Sequence, residues 1–216
     1  MNIIIFGAPG AGKGTQADNL SNEYNLYKIS TGDLLRKEIE KNTPLGKKIK
    51  STVDKGSFVS DDLINNLIEK ILKDEKLNSR LIFDGYPRNI NQAEKLDILF
   101  RNHKQKISYV FSLTVSKEII IKRILGRQIC SKCGSIFNEY FRPSNSKNHQ
   151  CGDKFILKRS DDNKETITNR FETYVKKTLP ILNFYKKLNL LHEINGMGEI
   201  DQIYKEIRGV ITSLET

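Results

Sequence analysis

The apolar positions of the chain fall into two alternating rhythms. Asn2–Phe6 is a short β-branched run that ends at a glycine, the pattern of a buried strand. Lys13–Glu23 follows with helical spacing. Leu81–Phe83 is a second apolar run, closed by Asp84-Gly85, and Ser108–Val115 a third. Lys117–Leu125 reads as a helix, Leu190–Ile194 as a late strand and Ile200–Leu214 as a final amphipathic helix. Strands alternating with helices predict an α/β fold of parallel βαβ units, with helices on both faces of the sheet. Two stretches break the alternation. Ser30 to about Val59 is polar and helical with an interruption at Pro44-Leu45-Gly46. Gln128–Arg159 is rich in Cys, Gly, Asn and Ser, with strand-like pieces such as Ser135–Phe141. Both read as insertions, so that 1–29, 60–121 and 160–216 form the core while 30–59 and 122–159 stand out from it.

Length and composition narrow the class. At 216 residues the chain is one domain with small insertions, long enough to bury a core without disulfides. With 38% hydrophobic and 29% charged residues it is not a disordered chain. No apolar run approaches the ~20 residues of a membrane span. Residues 1–6 lack the basic start and long apolar region of a signal peptide, so a cytoplasmic protein is expected. The net charge of +10 admits nucleic acid, anionic membrane or phosphorylated small molecules as partners. Residues 122–159 hold nine Lys/Arg against two acids, so most of the surplus lies in the second insertion.

The most informative motif is Gly7-Ala8-Pro9-Gly10-Ala11-Gly12-Lys13-Gly14-Thr15. It follows a buried strand and opens a helix, the context of a phosphate-binding loop. Its glycines reach positive φ and let backbone N–H groups approach phosphate oxygens. The helix N-terminus adds partial positive charge, and Lys13 supplies a point charge for β- and γ-phosphates. Gly10, Ala11, Gly12, Lys13, Gly14 and Thr15 are therefore candidates for the donor phosphates. Gly14 departs from the generic pattern, in which Ser or Thr follows the lysine directly.

Two further segments, Asp84-Gly85-Tyr86-Pro87-Arg88 and Ser30-Thr31-Gly32-Asp33-Leu34-Leu35-Arg36, join the loop in resembling the nucleoside monophosphate kinases. Over its full length the chain is most similar to the adenylate kinase family in its long, lid-bearing form. The resemblance implies a P-loop core with a helical AMP-binding insertion at 30–59 and a lid at 122–159. It implies reversible transfer of the γ-phosphoryl of Mg²⁺-ATP to AMP, giving two ADP, in purine nucleotide homeostasis. ATP, AMP and ADP would be the partners of a monomer, without nucleic acid or membrane. Thr31, Arg36, Arg88 and Gln92 match the family's AMP contacts. Arg36 and Arg88 would clamp the α-phosphate, and Thr31 and Gln92 would read the adenine edge. The Gly56–Val59 stretch, with Ser57 and Val59, would lie along the AMP base, and Gly85 beside it. Arg123 would lie by the ATP adenine and Arg127 by its phosphates, with Phe137 and Gly198 at the donor base. Arg159 and Arg170 match two more phosphate ligands on the acceptor side. Lys13, Arg88, Arg123, Arg127, Arg159 and Arg170 would be the catalytic set, and Asp84 would hold a Mg²⁺-bound water. Arginine forks suit this reaction because its work is positioning and charge stabilisation. The acceptor is already a phosphate oxygen, so none of His103, His149 or His192 is nominated as a base.

Cys130-x-x-Cys133, Cys151 and Asp153 resemble the zinc-bearing lids of the family. Thiolates at this spacing suit tetrahedral Zn²⁺, with Asp153 as the fourth ligand. Cys151-Gly152-Asp153 is one residue shorter than the usual second pair, and His149 is the alternative. Three free thiols without metal are the other reading, since an odd cysteine count is not a disulfide framework. Asp162 and Glu165 have the spacing of a capping box, and Asp161 and Asp162 would also meet arginines of the site. Two other functions fit parts of the pattern. One is a kinase for a different nucleoside monophosphate, or one using GTP. The other is a zinc-ribbon, nucleic-acid-dependent ATPase, which the placement of the basic residues beside the loop elements argues against.

Overall fold

The computed structural model describes residues 1–55, 57–145 and 147–215, with side chains to residue 214. The sequence runs β1 (Asn2–Gly7), α1 (Lys13–Tyr24), β2 (Tyr27–Ser30), α2 (Thr31–Glu40), α3 (Pro44–Asp54) and α4 (Asp61–Leu72). It continues through β3 (Leu81–Asp84), α5 (Ile90–Asn102), β4 (Tyr109–Thr114) and α6 (Lys117–Leu125). Three short strands follow, β5 (Arg127–Cys130), β6 (Ile136–Asn138) and β7 (Ile156–Leu157). The chain ends with α7 (Lys164–Thr173), α8 (Ile181–Lys187), β8 (Leu191–Asn195) and α9 (Ile200–Glu215).

β1 is buried at every position because it is the middle of a five-stranded sheet ordered β2-β3-β1-β4-β8. Every pairing in that sheet is parallel. Successive side chains of a strand point to opposite faces, and here both faces are covered. Ile3 and Ile5 pack with Ala17 and Leu20 of α1 and with Ile203, Ile207 and Ile211 of α9. Ile4 and Phe6 pack on the other face with residues of α2 to α5 and with Ile181 and Tyr185 of α8. Each such side chain contributes about 1.5–3 kcal/mol when fully buried, which is why an unbroken apolar run is stable only here. A separate antiparallel sheet, ordered β6-β5-β7, lies within the second insertion. Among the described residues, no helix is long and apolar enough to cross a membrane.

Two details differ from the sequence reading. Pro44 does not interrupt a helix but opens α3 at its first turn, where proline lacks only an N–H that would have no partner. Thr43 caps that turn by accepting from the Gly46 N–H. Helix α7 is capped by Asn163, whose Oδ1 accepts from the Thr166 N–H at 2.9 Å, and not by Asp162. Asp162 is taken up by Arg127 instead. Gly56, the first residue of the stretch assigned to the AMP base, lies outside the described residues.

Candidate active site

Three parallel strands end together at one edge of the sheet. Asp84 closes β3, in register with Ile5 of β1 on one side and with Ser30, the end of β2, on the other. Ligands of open α/β sheets bind at this edge, outside the carboxyl ends of the strands. Residues 8–12 loop from β1 to α1, with Gly10 at φ +81 and Gly12 at φ +98, a region that favours glycine. Gly12 caps α1 without a side-chain bond, so the first-turn N–H groups face the loop interior for an anion. Lys13 folds back over the loop, its Nζ donating to the carbonyls of Gly7 at 2.8 Å and Ala8 at 2.9 Å. Burial pushes its ammonium down to about 8. Asp84 opposes that, while Arg88, Arg127 and Arg170 add to it. A Cβ at Gly14 would stand 3.3 Å from Asp84 Oδ2, so the glycine after Lys13 leaves the carboxylate room against the loop.

Arg88 is fixed from several sides. Its Nε donates to the Gly85 carbonyl at 2.6 Å, one terminal nitrogen donates to Thr31 Oγ1 at 3.3 Å, and the guanidinium lies 5.3 Å from the centre of the Phe58 ring. Thr31 Oγ1 itself donates to the Gly85 carbonyl at 2.7 Å. Burial lowers Arg88 to about 10 against the pull of Asp84, with Arg170 and Arg36 adding to the depression. Its own carbonyl accepts from Thr178 Oγ1 at 2.8 Å, at the end of a π-helical turn, Tyr174–Thr178, between α7 and α8.

Arg127 and Arg170 are held by buried acids. Arg127 makes a two-point bond to Asp162, with Nε to Oδ2 at 2.7 Å, and Arg170 pairs with Asp161. Burial works against the charge on Arg127, but Asp162, Asp161 and Asp84 outweigh it and raise the group. Burial likewise opposes the charge on Asp161, which Arg170, Arg127 and Arg36 lower in spite of it. Arg123 donates to the Gly196 carbonyl at 2.9 Å and lies 5.7 Å from the Phe141 ring centre. Arg36 pairs with Asp33. Arg159 stands apart: among the described residues its Nε is buried without a partner, and burial together with Arg127 and Arg36 lowers it to about 10.

All six arginines and Lys13 line one cavity of about 420 Å³. Gly10, Ala11, Gly12, Gly14, Thr15, Ser57, Val59, Asp84, Gly85, Phe137 and Gly198 line it as well. A small cleft beside it is walled by Leu35, Phe58, Val59 and Ile64 and reached by Thr31, Gly85, Arg88 and Gln92. The sequence reading gave Phe58 no role beyond its place in the Gly56–Val59 stretch and gave none to Phe141, both on the cavity wall, nor to Asp61, which accepts from Gln92 Nε2 at 2.6 Å.

The cysteines form a second cluster, outside that cavity. Ligand atoms of Cys130, Cys133, His149 and Cys151 lie within 4.8 Å of one another. The fourth member is His149; Asp153 is not in the group. Gly152, at φ +87, turns the chain into a 3₁₀ turn, Asp153–Phe155, that leads into β7. That direction carries residue 153 onward from the cluster, which is the reason the shortened spacing fails for Asp153. Cys130 Sγ accepts from the N–H groups of Lys132 at 3.4 Å and Cys133 at 3.5 Å, as a thiolate ligand does. His149 Nδ1 is bonded to Ser144 Oγ at 3.2 Å, while its Nε2 is buried with no partner among the described residues. One ring nitrogen oriented by a hydrogen bond and the other free within the cluster is how a metal-binding histidine is set up.

A phosphate loop at the strand ends and a ring of arginines around one cavity, with a small apolar cleft beside it, define a P-loop nucleotide kinase. The family model described as adenylate kinase matches residues 5–190. An adenylate kinase of Pelagibacter ubique is 46% identical over 211 residues, covering 98% of this chain and 99% of its own. Adenylate kinases of Methanocella arvoryzae and Clostridium botulinum are 41% and 40% identical, covering 99% and 96% of this chain and 100% and 97% of their own. The chain belongs to the adenylate kinase family, and its activity is that of an adenylate kinase, a phosphotransferase acting on ATP, AMP and ADP.

Proposed function

We propose that the cavity divides into a donor side and an acceptor side that meet at Lys13 and the arginines. The loop 10–15, Arg123, Arg127, Phe137 and Gly198 take ATP. Thr31, Arg36, Ser57, Val59, Gly85, Arg88 and Gln92 take AMP. Arg159 and Arg170 hold phosphate oxygens on the acceptor side. An α-phosphate oxygen of AMP attacks the γ-phosphorus as the bond to the β-phosphate oxygen breaks. Lys13 and the arginine forks stabilise the charge carried by the transferred group. Asp84 is the residue placed to hold Mg²⁺ through bound water, and the metal would supply charge neutralisation between β- and γ-phosphates. The observation that carries this reading is the convergence of seven arginines, the six above and Arg142, with Lys13 on one cavity, Arg159 among them keeping a buried Nε–H without a partner among the described residues. Asp33, Asp161 and Asp162 pair only three of these arginines, and the positive charge that is left is costly to bury unless an anion completes it.

Segments 30–59 and 122–159 are the moving parts of this reading. The basic lid is drawn to bound phosphates, which gives closure a contact available only in the liganded state, and closure excludes water as a competing acceptor. Cys130, Cys133, His149 and Cys151 would hold a structural Zn²⁺ that stiffens the lid, with no part in the transfer. The whole is read as a cytoplasmic monomer. A coupled assay with AMP, CMP, UMP and GMP as acceptors tests the reading. AMP should be preferred by at least tenfold in kcat/KM, and a pyrimidine preference would contradict it.

A further inference from the structure

The side-chain amide of Gln92 sits between a neighbour that can only donate and one that can only accept. The Arg88 backbone N–H donates to its Oε1 at 2.7 Å, and its Nε2 donates to Asp61 Oδ1 at 2.6 Å. A backbone N–H has no lone pair to offer an NH₂ group, and an ionised carboxylate has no proton to offer an amide oxygen. Turning the amide over would lose both bonds and set like groups against each other. Asp61 is itself held in place, since Asn89 Nδ2 donates to its two oxygens at 2.9 and 3.0 Å. Asn89 Oδ1 in turn accepts from the Gln92 N–H at 2.9 Å, the cap of α5. The lock is therefore built from the first turns of two helices, α4 and α5.

An amide carries two lone pairs and two N–H groups, and one of each is spent on this lock. The remaining lone pair on Oε1 and proton on Nε2 stay on fixed sides of a residue that lines the cleft of Phe58 and Val59. A 6-aminopurine presents the matching edge, with an amino donor next to a ring-nitrogen acceptor. A 6-oxopurine presents the reverse, with a carbonyl acceptor next to a ring N–H. We propose that Asp61 is a positioning residue that fixes the polarity of Gln92, and through it the preference for 6-amino- over 6-oxopurine monophosphates. This rests on Gln92 being a base contact.

The experiment compares AMP with IMP, which differ only at this edge, as acceptors for the full-length enzyme at saturating ATP. Asp61→Asn can donate as well as accept, so it removes the Asp61 half of the lock and leaves the Arg88 N–H alone to hold the amide. The AMP-to-IMP ratio of kcat/KM should fall at least tenfold, with most of the change in acceptor KM. Asp61→Ser, whose hydroxyl is equally ambivalent, gives the same readout if the first variant does not fold. A merely structural role lowers both acceptors in parallel and leaves the ratio unchanged, which overturns the proposal. Gln92→Leu separates the two layers. If it leaves the ratio unchanged, the base-contact reading fails; if it collapses the ratio while both Asp61 variants keep it, only the lock fails.

Discussion

Lys13 carries its charge in a place that resists it, and that makes its protonation measurable. Its ordinary value of 10.5 is lowered to about 8, chiefly by burial. Below about 8 the ammonium is present for the donor phosphates; above it the free enzyme loses the charge. The kcat/KM for ATP, which reports the free enzyme, should fall as pH rises through about 8. Bound polyphosphate favours the charged form, so kcat should persist to higher pH. Stability moves the other way. Between about 8 and 10.5 the unfolded chain keeps a proton that the folded chain has released, so unfolding free energy increases with pH in that window. Lys13→Arg should move the kcat/KM limb upward if it remains active, while Lys13→Ala should lose more than tenfold and have no such limb. A flat wild-type profile to pH 10 would remove Lys13 from this role. Lys13, Arg36 and Arg88 could be read from short local motifs, whereas Arg123, Arg127, Arg159 and Arg170 were nominated only through the family resemblance. Asp61 could not: it meets Gln92 across 31 positions, and no spacing rule links the first turns of two helices. Phe58 fell within the Gly56–Val59 stretch, but nothing there gave its ring a role; that comes from lying against Arg88 and Lys177.

Among the elements, those with a clear apolar run were legible, the edge strand β8 included, read as Leu190–Ile194 and found at Leu191–Asn195. Helix α6 spans Lys117–Leu125 as its pattern predicts, and β1 is longer by the one residue that begins the loop. Strand β2 escaped because it lies at the sheet edge with Tyr27 exposed and Lys28 between its apolar positions. Helix α4 did carry a signal, Ile64, Ile68 and Leu72 at four-residue steps, all buried against the core. In the first insertion, α2 and α3 cross so closely that a Cβ at Gly46 would lie 2.6 Å from the Glu38 carbonyl oxygen. Gly46→Ala should force the two helices apart and cost about 1–3 kcal/mol, as overpacking does. Urea unfolding measures it, and an unchanged midpoint would show that the crossing tolerates the methyl. The lid makes a different kind of claim, because only folding chooses between His149 and Asp153. Metal analysis should find about one Zn²⁺ per chain. His149→Ala should weaken its retention against chelator by at least tenfold, and Asp153→Ala should leave it alone. The reverse order would restore Asp153 as the ligand, and metal-free protein with three titratable thiols would mean a lid held by packing.

For the molecule as a whole, the parallel sheet explains why distant segments serve one site. β1, β2 and β3 all run out at the same edge, so Ile5, Ser30 and Asp84 stand side by side although the chain separates them widely. Arg123, Arg127 and Arg159, from the second insertion expected at 122–159, line the same cavity. In the proposed division this single cavity holds two nucleotides on distinct sides, with Arg88 belonging to the acceptor. Calorimetric titration of Arg88→Ala with ATP alone and with AMP alone tests that claim directly. A charge-assisted bond left unmade costs about 1.5–3 kcal/mol. AMP affinity should therefore fall by about tenfold or more while ATP affinity stays within about twofold; equal losses for both nucleotides would contradict the division of the site.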